Sequence, residues 1–310
     1  MPEQDYAWLP KPDILDFDET TRLAQVFAAA GASRLRITGG EPLLRRDLPA
    51  LIERLAAAAS WDDLALTTNG ILLTDHADAL AAAGIRRVTV SLDTLDRDRF
   101  RALTRQDELA RVRQGLEAAA RVFPGFKIDT VVVRGVNDDE LEALAREAAR
   151  LGAEIRFIEY MDVGGATRWT AGQVVSRREI LEVLARTFDG ATPIVEESWA
   201  PAARLRLGTG QVVGVISSTT EPFCATCDRS RLTADGMWYR CLYAAEGTDL
   251  RGPLRAGASD ADLQGLIEQT WSARADQGAV DRLHMLDRRA FVPITSLRRD
   301  PHLEMHTRGG

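Results

Sequence analysis

Apolar positions along the first two-thirds of the chain follow two alternating spacings. Short runs rich in apolar and β-branched residues read as five strands: "RLRIT" (34–38), "LALTT" (64–68), "RVTVSL" (87–92), "KIDTVVV" (127–133) and "IRFIEYM" (155–161). Between them, apolar residues return every three or four positions, as helices require. The sets are Leu23, Val26, Phe27 and Ala30; Leu48, Leu51, Ile52 and Leu55; a helix around Leu80; Leu109, Val112 and Leu116; Leu141, Leu144 and Leu151; and Ile180, Leu184 and Phe188. Asp16 with Glu19, and Ser176 with Glu179, have the spacing of capping boxes. Gly31 and Gly84 stand where helices should stop. This rhythm predicts an α/β fold of parallel strands with helices outside, either a barrel or an open doubly wound sheet. One feature departs from it: the first element is a helix, whereas a βα repeat opens on a strand.

From about residue 203 the pattern changes. "RLRLG", "QVVGVIS" and "SRLTADGMWYRCL" read as antiparallel strands, with a hairpin turn at Asp235-Gly236. Residues 260–288 read as helical again. No repeat, low-complexity tract or long linker stands out.

Composition narrows the picture. A chain of 310 residues with 45% hydrophobic content can bury one large α/β barrel or two ordinary domains. A net charge of −7 argues against general nucleic-acid binding, so any basic site must be local. No run of about 18 apolar residues predicts a membrane span. The start "MPEQDYAWLPKPD" lacks the features of a secretory signal. Three cysteines are too few for a disulfide scaffold, and a reducing cytoplasm is expected.

Those three, Cys224, Cys227 and Cys241, lie in one stretch, "FCATCDRSRLTADGMWYRC", spaced C-x2-C-x13-C. A turn at Asp235-Gly236 would bring residue 241 across from about residue 230 and let all three sulfurs face one point. Three readings follow: buried structural thiols, a zinc site, or an iron–sulfur cluster. Zinc would need a fourth ligand from afar, such as His76, His284, His302 or His306. A cluster on three thiolates would leave one iron free for a small molecule. Spacing alone does not choose between zinc and iron. Arg229 and Arg231 share one strand face beside the cysteines, which suits phosphate or carboxylate; a solvated edge strand is the plainer alternative.

The strand ends carry "TGGEP" (38–42), "TTNG" (67–70), "SLD" (91–93) and "EYMD" (159–162), where a parallel barrel places its ligands. No Walker loop is present. Arg36 and Arg156 have the opposite parity to their apolar strand neighbours and should point inward, toward an anion. Lys127 opens its strand, a position that is usually solvated.

Taken in order, "ITGGEPLLRRDL", "LTTNG", "VSLDTL", "VRGVND", "IRFIEYMDVG", "FCATCDRSRLTADGMWYRCL" and the closing "GG" resemble the GTP 3′,8-cyclase family (molybdenum cofactor biosynthesis protein A) of the radical S-adenosylmethionine (SAM) superfamily, over nearly the whole chain. The resemblance implies an incomplete (β/α)6 TIM-like barrel over residues 1–202. Residues 203–310 would form an antiparallel and helical domain holding an auxiliary [4Fe–4S] cluster and GTP. Cys224, Cys227 and Cys241 would hold that cluster, whose open iron contacts the purine. Arg36, Thr67, Lys127, Arg156, Arg229, Ser230 and Arg231 match GTP-pocket positions, and Arg34 adds a charge there. Gly39, Gly40, Glu41, Ser91 and Met161 match SAM positions. Gly309 and Gly310 match a tail that reaches into the active site. The implied reaction is conversion of GTP to 3′,8-cyclo-7,8-dihydro-GTP, with hand-off to the cyclic pyranopterin monophosphate synthase. A homodimer is compatible with the resemblance.

The chain departs from the family at its start. The family opens on a strand and a C-x3-C-x2-C motif, immediately before "MP", that holds a second [4Fe–4S] cluster and cleaves SAM. Here the sequence begins at Met1-Pro2, without that first strand, those cysteines or an upstream arginine that contacts GTP. The expectation is a start placed inside a longer protein, the chain as written lacking its radical-generating residues and hence activity. Two alternatives stand beside it: a non-catalytic GTP- and cluster-binding relative, and another radical SAM enzyme with an auxiliary cluster. The R-S-R and the double glycine speak against the latter.

Overall fold

A computed structural model describes residues 8–163, 169–195, 200–285, 288–292, 294–297 and 300–308. The five expected strands are β1 (Arg34–Ile37), β2 (Asp63–Thr68), β3 (Arg87–Ser91), β4 (Lys127–Val132) and β5 (Glu154–Glu159). They pair in parallel in chain order. Further along come β6 (Ala191–Pro193), β7 (Ala203–Leu207) and β8 (Val212–Ile216), then β9 (Arg231–Leu232), β10 (Met237–Tyr239) and β11 (Thr248–Asp249). The sheet order β1-β2-β3-β4-β5-β8-β7-β6 leaves β1 at one edge among the described residues.

The helices are α1 (Phe17–Ala29), α2 (Leu48–Ala58), α3 (Leu73–Ala82), α4 (Arg97–Thr104), α5 (Leu109–Val122), α6 (Leu141–Arg150) and α7 (Arg177–Thr187), then α8 (Arg251–Arg255), α9 (Asp260–Ser272), α10 (Gly278–Leu283), α11 (Ile294–Leu297) and α12 (Met305–Arg308). Both capping boxes form, Asp16 with Glu19 and Ser176 with Glu179.

The strand alternation now has a cause. One sheet face carries Leu64, Leu66, Val88, Val90, Ile128, Ile155, Phe157, Val213 and Val215. It is buried under the apolar stripes of α2, α3, α5, α6 and α7 in one continuous core. The other face carries Arg36, Thr67, Thr89, Lys127, Asp129, Glu154 and Arg156. Parallel strands are usually apolar on both faces. A parallel sheet with one charged face therefore has something polar to do there.

The sequence reading is corrected at β8. "QVVGVIS" does pair antiparallel with β7, but it also pairs parallel with β5, Ile155 opposite Val213 and Phe157 opposite Val215. The main sheet thus runs across the 202/203 division instead of ending there. The β7–β8 hairpin is the local feature, visible in sequence; the β5–β8 pairing is long-range and leaves no local mark.

The hairpin at 235–236 is present, with a three-residue loop. The Thr233 and Gly236 amides donate to the carbonyls of Met237 and Thr233, and Gly236 takes φ 86°. Tyr239 lies opposite Arg231. That register would put Cys241 opposite Arg229, one residue from the expected position. Trp238 anchors this hairpin in a second core with Leu15, Leu23, Val26, Leu250, Leu254, Leu263 and Ile267. The first helix therefore joins the two cores: Ala24 faces the sheet core, while Leu23 and Val26 face the hairpin.

Candidate active site

The polar sheet face is built from neighbouring strands. The Arg36 guanidinium donates to the hydroxyls of Thr67 at 2.8 Å and Thr89 at 3.3 Å. It meets no carboxylate among the described residues. It keeps access to solvent yet lies among enough protein that desolvation, with repulsion from Arg156 and Arg87, pulls its pKa to about 10. Arg156 also points to this face, as its parity implied. Its anion is Asp129, gripped through two bonds of 2.6 and 2.7 Å. Lys127 is not a solvated strand start. It pairs with Glu154 at 2.9 Å, and burial lowers its pKa, with Arg156 adding to the effect. Arg204 reaches the same Glu154 at 3.0 Å. The sequence pattern does not single out Asp129 and Glu154, although each shares its strand face with an expected cation.

The loops beyond the strand ends gather the glycine motif. Gly39 takes φ 143°, and a Cβ there would meet only open space, so its backbone is free to approach a ligand. A Cβ on Gly40 would come within 3.5 Å of the His306 Cβ, which brings the C-terminal segment over this loop. Glu41 accepts from the amides of Leu43 (3.0 Å) and Asn69 (2.7 Å) and from the Thr68 hydroxyl (2.7 Å), tying "TGGEP" to "TTNG". Ser91 is exposed at the end of β3, and Met161 lies partly exposed two residues past β5. Beside them, burial lifts the Asp93 carboxyl to about 6, against the Val131 amide that donates to it.

Cys224, Cys227 and Cys241 are all free and half-buried. Cys224 opens a short 3-10 turn that ends at Cys227. Burial pushes the Cys227 thiol up. The backbone amide and charge of Arg229, with Arg274, outweigh this and leave its pKa lowered. The Tyr243 amide donates to Cys241 Sγ at 3.4 Å. At Gly278, where α10 begins, a Cβ would sit 2.4 Å from the Tyr243 Cβ and 3.3 Å from Cys241 Sγ, so only glycine fits. Nothing in the sequence pattern singles out Gly278, because the close approach is made by Tyr243 and Cys241, far from it in the chain. Among the described residues, no three His, Cys, Asp or Glu side chains converge as they would on one metal ion.

The arginines follow the thiols. Desolvation and the neighbouring Arg229 pull the Arg231 pKa to about 10, while Cys227 and Cys241 pull it back. The Arg231 Nε is buried without a hydrogen-bond partner among the described residues. Arg229 stacks on Phe223 at 4.6 Å and reaches Cys227 Sγ at 3.5 Å. Ser230, between them, is exposed. Arg34 is neutralised by Asp228, a contact that joins β1 to the cysteine segment. Arg308 donates to the carbonyls of Leu242 (3.1 Å) and Ala244 (2.7 Å), just past Cys241. Gly309 and Gly310 lie outside the described residues. Arg36, Arg229 and Arg231 thus meet no carboxylate among the described residues, while Lys127, Arg156 and Arg34 are paired.

The chain matches the Radical SAM superfamily over residues 4–148 and Molybdenum Cofactor Synthesis C over residues 153–280. It is 50% identical over 315 aligned residues to GTP 3′,8-cyclase 3 of Mycobacterium bovis, covering 100% of this chain and 83% of that protein. It is equally identical, over the same length, to GTP 3′,8-cyclase 1 of Mycobacterium tuberculosis, with 88% of that protein covered. The GTP 3′,8-cyclase of Acidothermus cellulolyticus is 45% identical over 281 residues, 88% of this chain and 77% of its own length. No helix of the described residues is long and apolar enough to cross a membrane.

Proposed function

The chain belongs to the GTP 3′,8-cyclase family, and on that premise we propose that its charged sheet face and cysteine hairpin form one pocket in which GTP is cyclised to 3′,8-cyclo-7,8-dihydro-GTP. The observation that carries the reading is Arg231: a guanidinium beside two thiols, its Nε buried without a partner among the described residues, in a chain whose net charge is −7. A buried donor left unpaired is costly unless a ligand completes it. A phosphate oxygen is the fitting acceptor.

Arg36, Arg229 and Arg231 hold the triphosphate, with Thr67 and Ser230 as hydroxyl donors. Lys127 and Arg156, held in place by Glu154 and Asp129, supply positive charge at fixed positions behind it. Gly39, Gly40, Glu41, Ser91 and Met161 form the S-adenosylmethionine side of the pocket, where open space over Gly39 favours close approach of a ligand. The sheet, in this reading, is the incomplete barrel.

Membership of the radical SAM superfamily favours a cluster over zinc at the three cysteines. Thiolates on one zinc ion stand about 3.8 Å apart. Thiolates on a [4Fe–4S] cluster each hold a different iron, so they surround it at wider spacing. The positive surroundings that lower the Cys227 pKa also suit a thiolate ligand. When bound, S-adenosylmethionine would supply the adenosyl group that takes hydrogen from the ribose C3′, after one-electron reductive cleavage at the family's other cluster, which Cys224, Cys227 and Cys241 do not hold; the cluster on these three cysteines would offer an open iron position to the purine.

The test is anaerobic reconstitution of the full chain with iron and sulfide, followed by calorimetric titration with GTP. About four irons per chain are expected from one cluster, together with GTP binding that Arg231→Ala weakens at least about tenfold. Zinc retained in place of iron, or indifference to GTP, would overturn the reading. Addition of S-adenosylmethionine and a reductant then separates catalysis, seen as a product isomeric with GTP, from a relative that only binds.

A further inference from the structure

The strand-end motif "EYMD" holds two of the most deeply buried carboxylates in the molecule. Glu159 and Asp162 are both 0% exposed. Burying two carboxylates is unfavourable unless each is fully bonded, and here each is. Glu159 accepts from the amides of Thr219 (2.9 Å), Thr220 (2.7 Å) and Arg177 (2.6 Å) and from the Thr220 hydroxyl (2.5 Å). The next carbonyl, that of Tyr160, accepts from the Thr219 hydroxyl at 3.0 Å. Asp162 accepts from the Tyr243 hydroxyl (2.8 Å), from Arg282 (2.8 and 2.5 Å) and from Arg288 (2.9 and 3.1 Å).

These bonds end on the two flanks of the cysteine segment. Thr219 and Thr220 lie just before Cys224. Tyr243 lies just after Cys241, and its own amide donates to that sulfur. Arg288 ties Asp162 to the first flank as well, reaching the Thr219 carbonyl at 3.2 Å. With their oxygens occupied from within the chain, the two carboxylates are not placed to bind a ligand. What they do is hold both ends of the cysteine segment against β5, on either side of Met161.

We propose that Glu159 and Asp162 are positioning residues for the cysteine set: Glu159 fixes the Cys224 end, and Asp162, through Tyr243, fixes the Cys241 end. The inference rests on reading Cys224, Cys227 and Cys241 as one iron–sulfur site. It explains how thiols on a small, loop-rich hairpin are presented with a defined spacing. The hairpin does not set that spacing; the parallel sheet does, through its fifth strand. The same contacts link the Met161 loop to the cysteine segment, so a shift in one is felt by the other.

The experiment measures alkylation rates of the individual cysteines by mass spectrometry in the metal-free full chain, alongside circular dichroism. Tyr243→Phe removes one hydroxyl and should raise the Cys241 rate about tenfold, leaving Cys224 within about twofold of the parent. Glu159→Gln should do the reverse, and Asp162→Asn, which also loosens Arg288 on the Thr219 side, should raise the Cys241 rate more than the Cys224 rate. If Glu159→Gln does not fold, Thr220→Val tests the same end. After reconstitution, Tyr243→Phe should keep its iron but shift the electron paramagnetic resonance signature of the reduced cluster. Uniform change at all three thiols, or no change, would overturn the proposal. Refusal of iron by the parent chain would instead overturn the functional reading, since the alkylation pattern is read without metal.

Discussion

Arg156 and Asp129 show how a site residue is held before any ligand arrives. Their two-bond pair sits on an almost closed part of the charged face, Asp129 directly opposite Arg156 across β4 and β5. Asp129→Asn would leave the guanidinium without its counter-charge. Loss of one member of such a pair should lower stability by about 3 kcal/mol, measured from urea midpoints; an unchanged midpoint would mean that solvent already screens the pair. Arg36 and Arg156 were legible in the sequence from strand parity, whereas Lys127 reads there as a solvated strand start. The carboxylate partners of Arg156 and Lys127 were not legible, because opposition across two strands depends on register.

At the scale of elements, α7 was the most legible. Ser176 and Glu179 predict its start, and both capping bonds are present. Ser176→Ala should cost about 1 kcal/mol, read as a lower thermal midpoint. The cap also predicts a pH dependence. The Ser176 hydroxyl, then its amide and Arg134, hold the Glu179 carboxyl down to about 2, against an ordinary 4.5. A folded value below the unfolded one means that ionised Glu179 stabilises the fold above about pH 4.5. That contribution fades as pH falls toward 2. The stability gap between the parent and Glu179→Gln should therefore be widest at neutral pH and close in acid. It should be small, since the carboxyl is partly solvated. A gap that stays constant from pH 7 to pH 2 would rule the cap out as its source. The hairpin around Asp235-Gly236 was legible for the same local reason. Its register missed by one residue because the three-residue loop is not visible in composition.

At the scale of the molecule, α1 decides whether there are one or two folding units. Leu23, 0% exposed, packs with Trp238 and the helices α8 and α9, while Ala24 on the same helix faces the sheet core. Glu19 and Arg22 add ion pairs to Arg255 and Asp260 across the same seam. Leu23→Ala should cost about 3 kcal/mol. The fluorescence of the buried Trp238 and the far-ultraviolet signal of the sheet helices should still fall in one transition. Separate transitions in the parent chain would show that the seam does not couple the two cores.

The sequence by itself determined the alternation of five parallel strands with helices, the capped helix starts, the cysteine hairpin and the family. All of these rest on periodicity, turn chemistry or motif, which are local in the chain. Only the tertiary structure decided that β8 joins β5, that Lys127 and Arg156 are already paired, that Arg231 is not, and that Glu159 and Asp162 hold the two ends of the cysteine segment. These depend on which distant residues meet. Burial then sets the energetic weight of each such meeting, since the same charge that water tolerates anywhere must find a partner once water is gone.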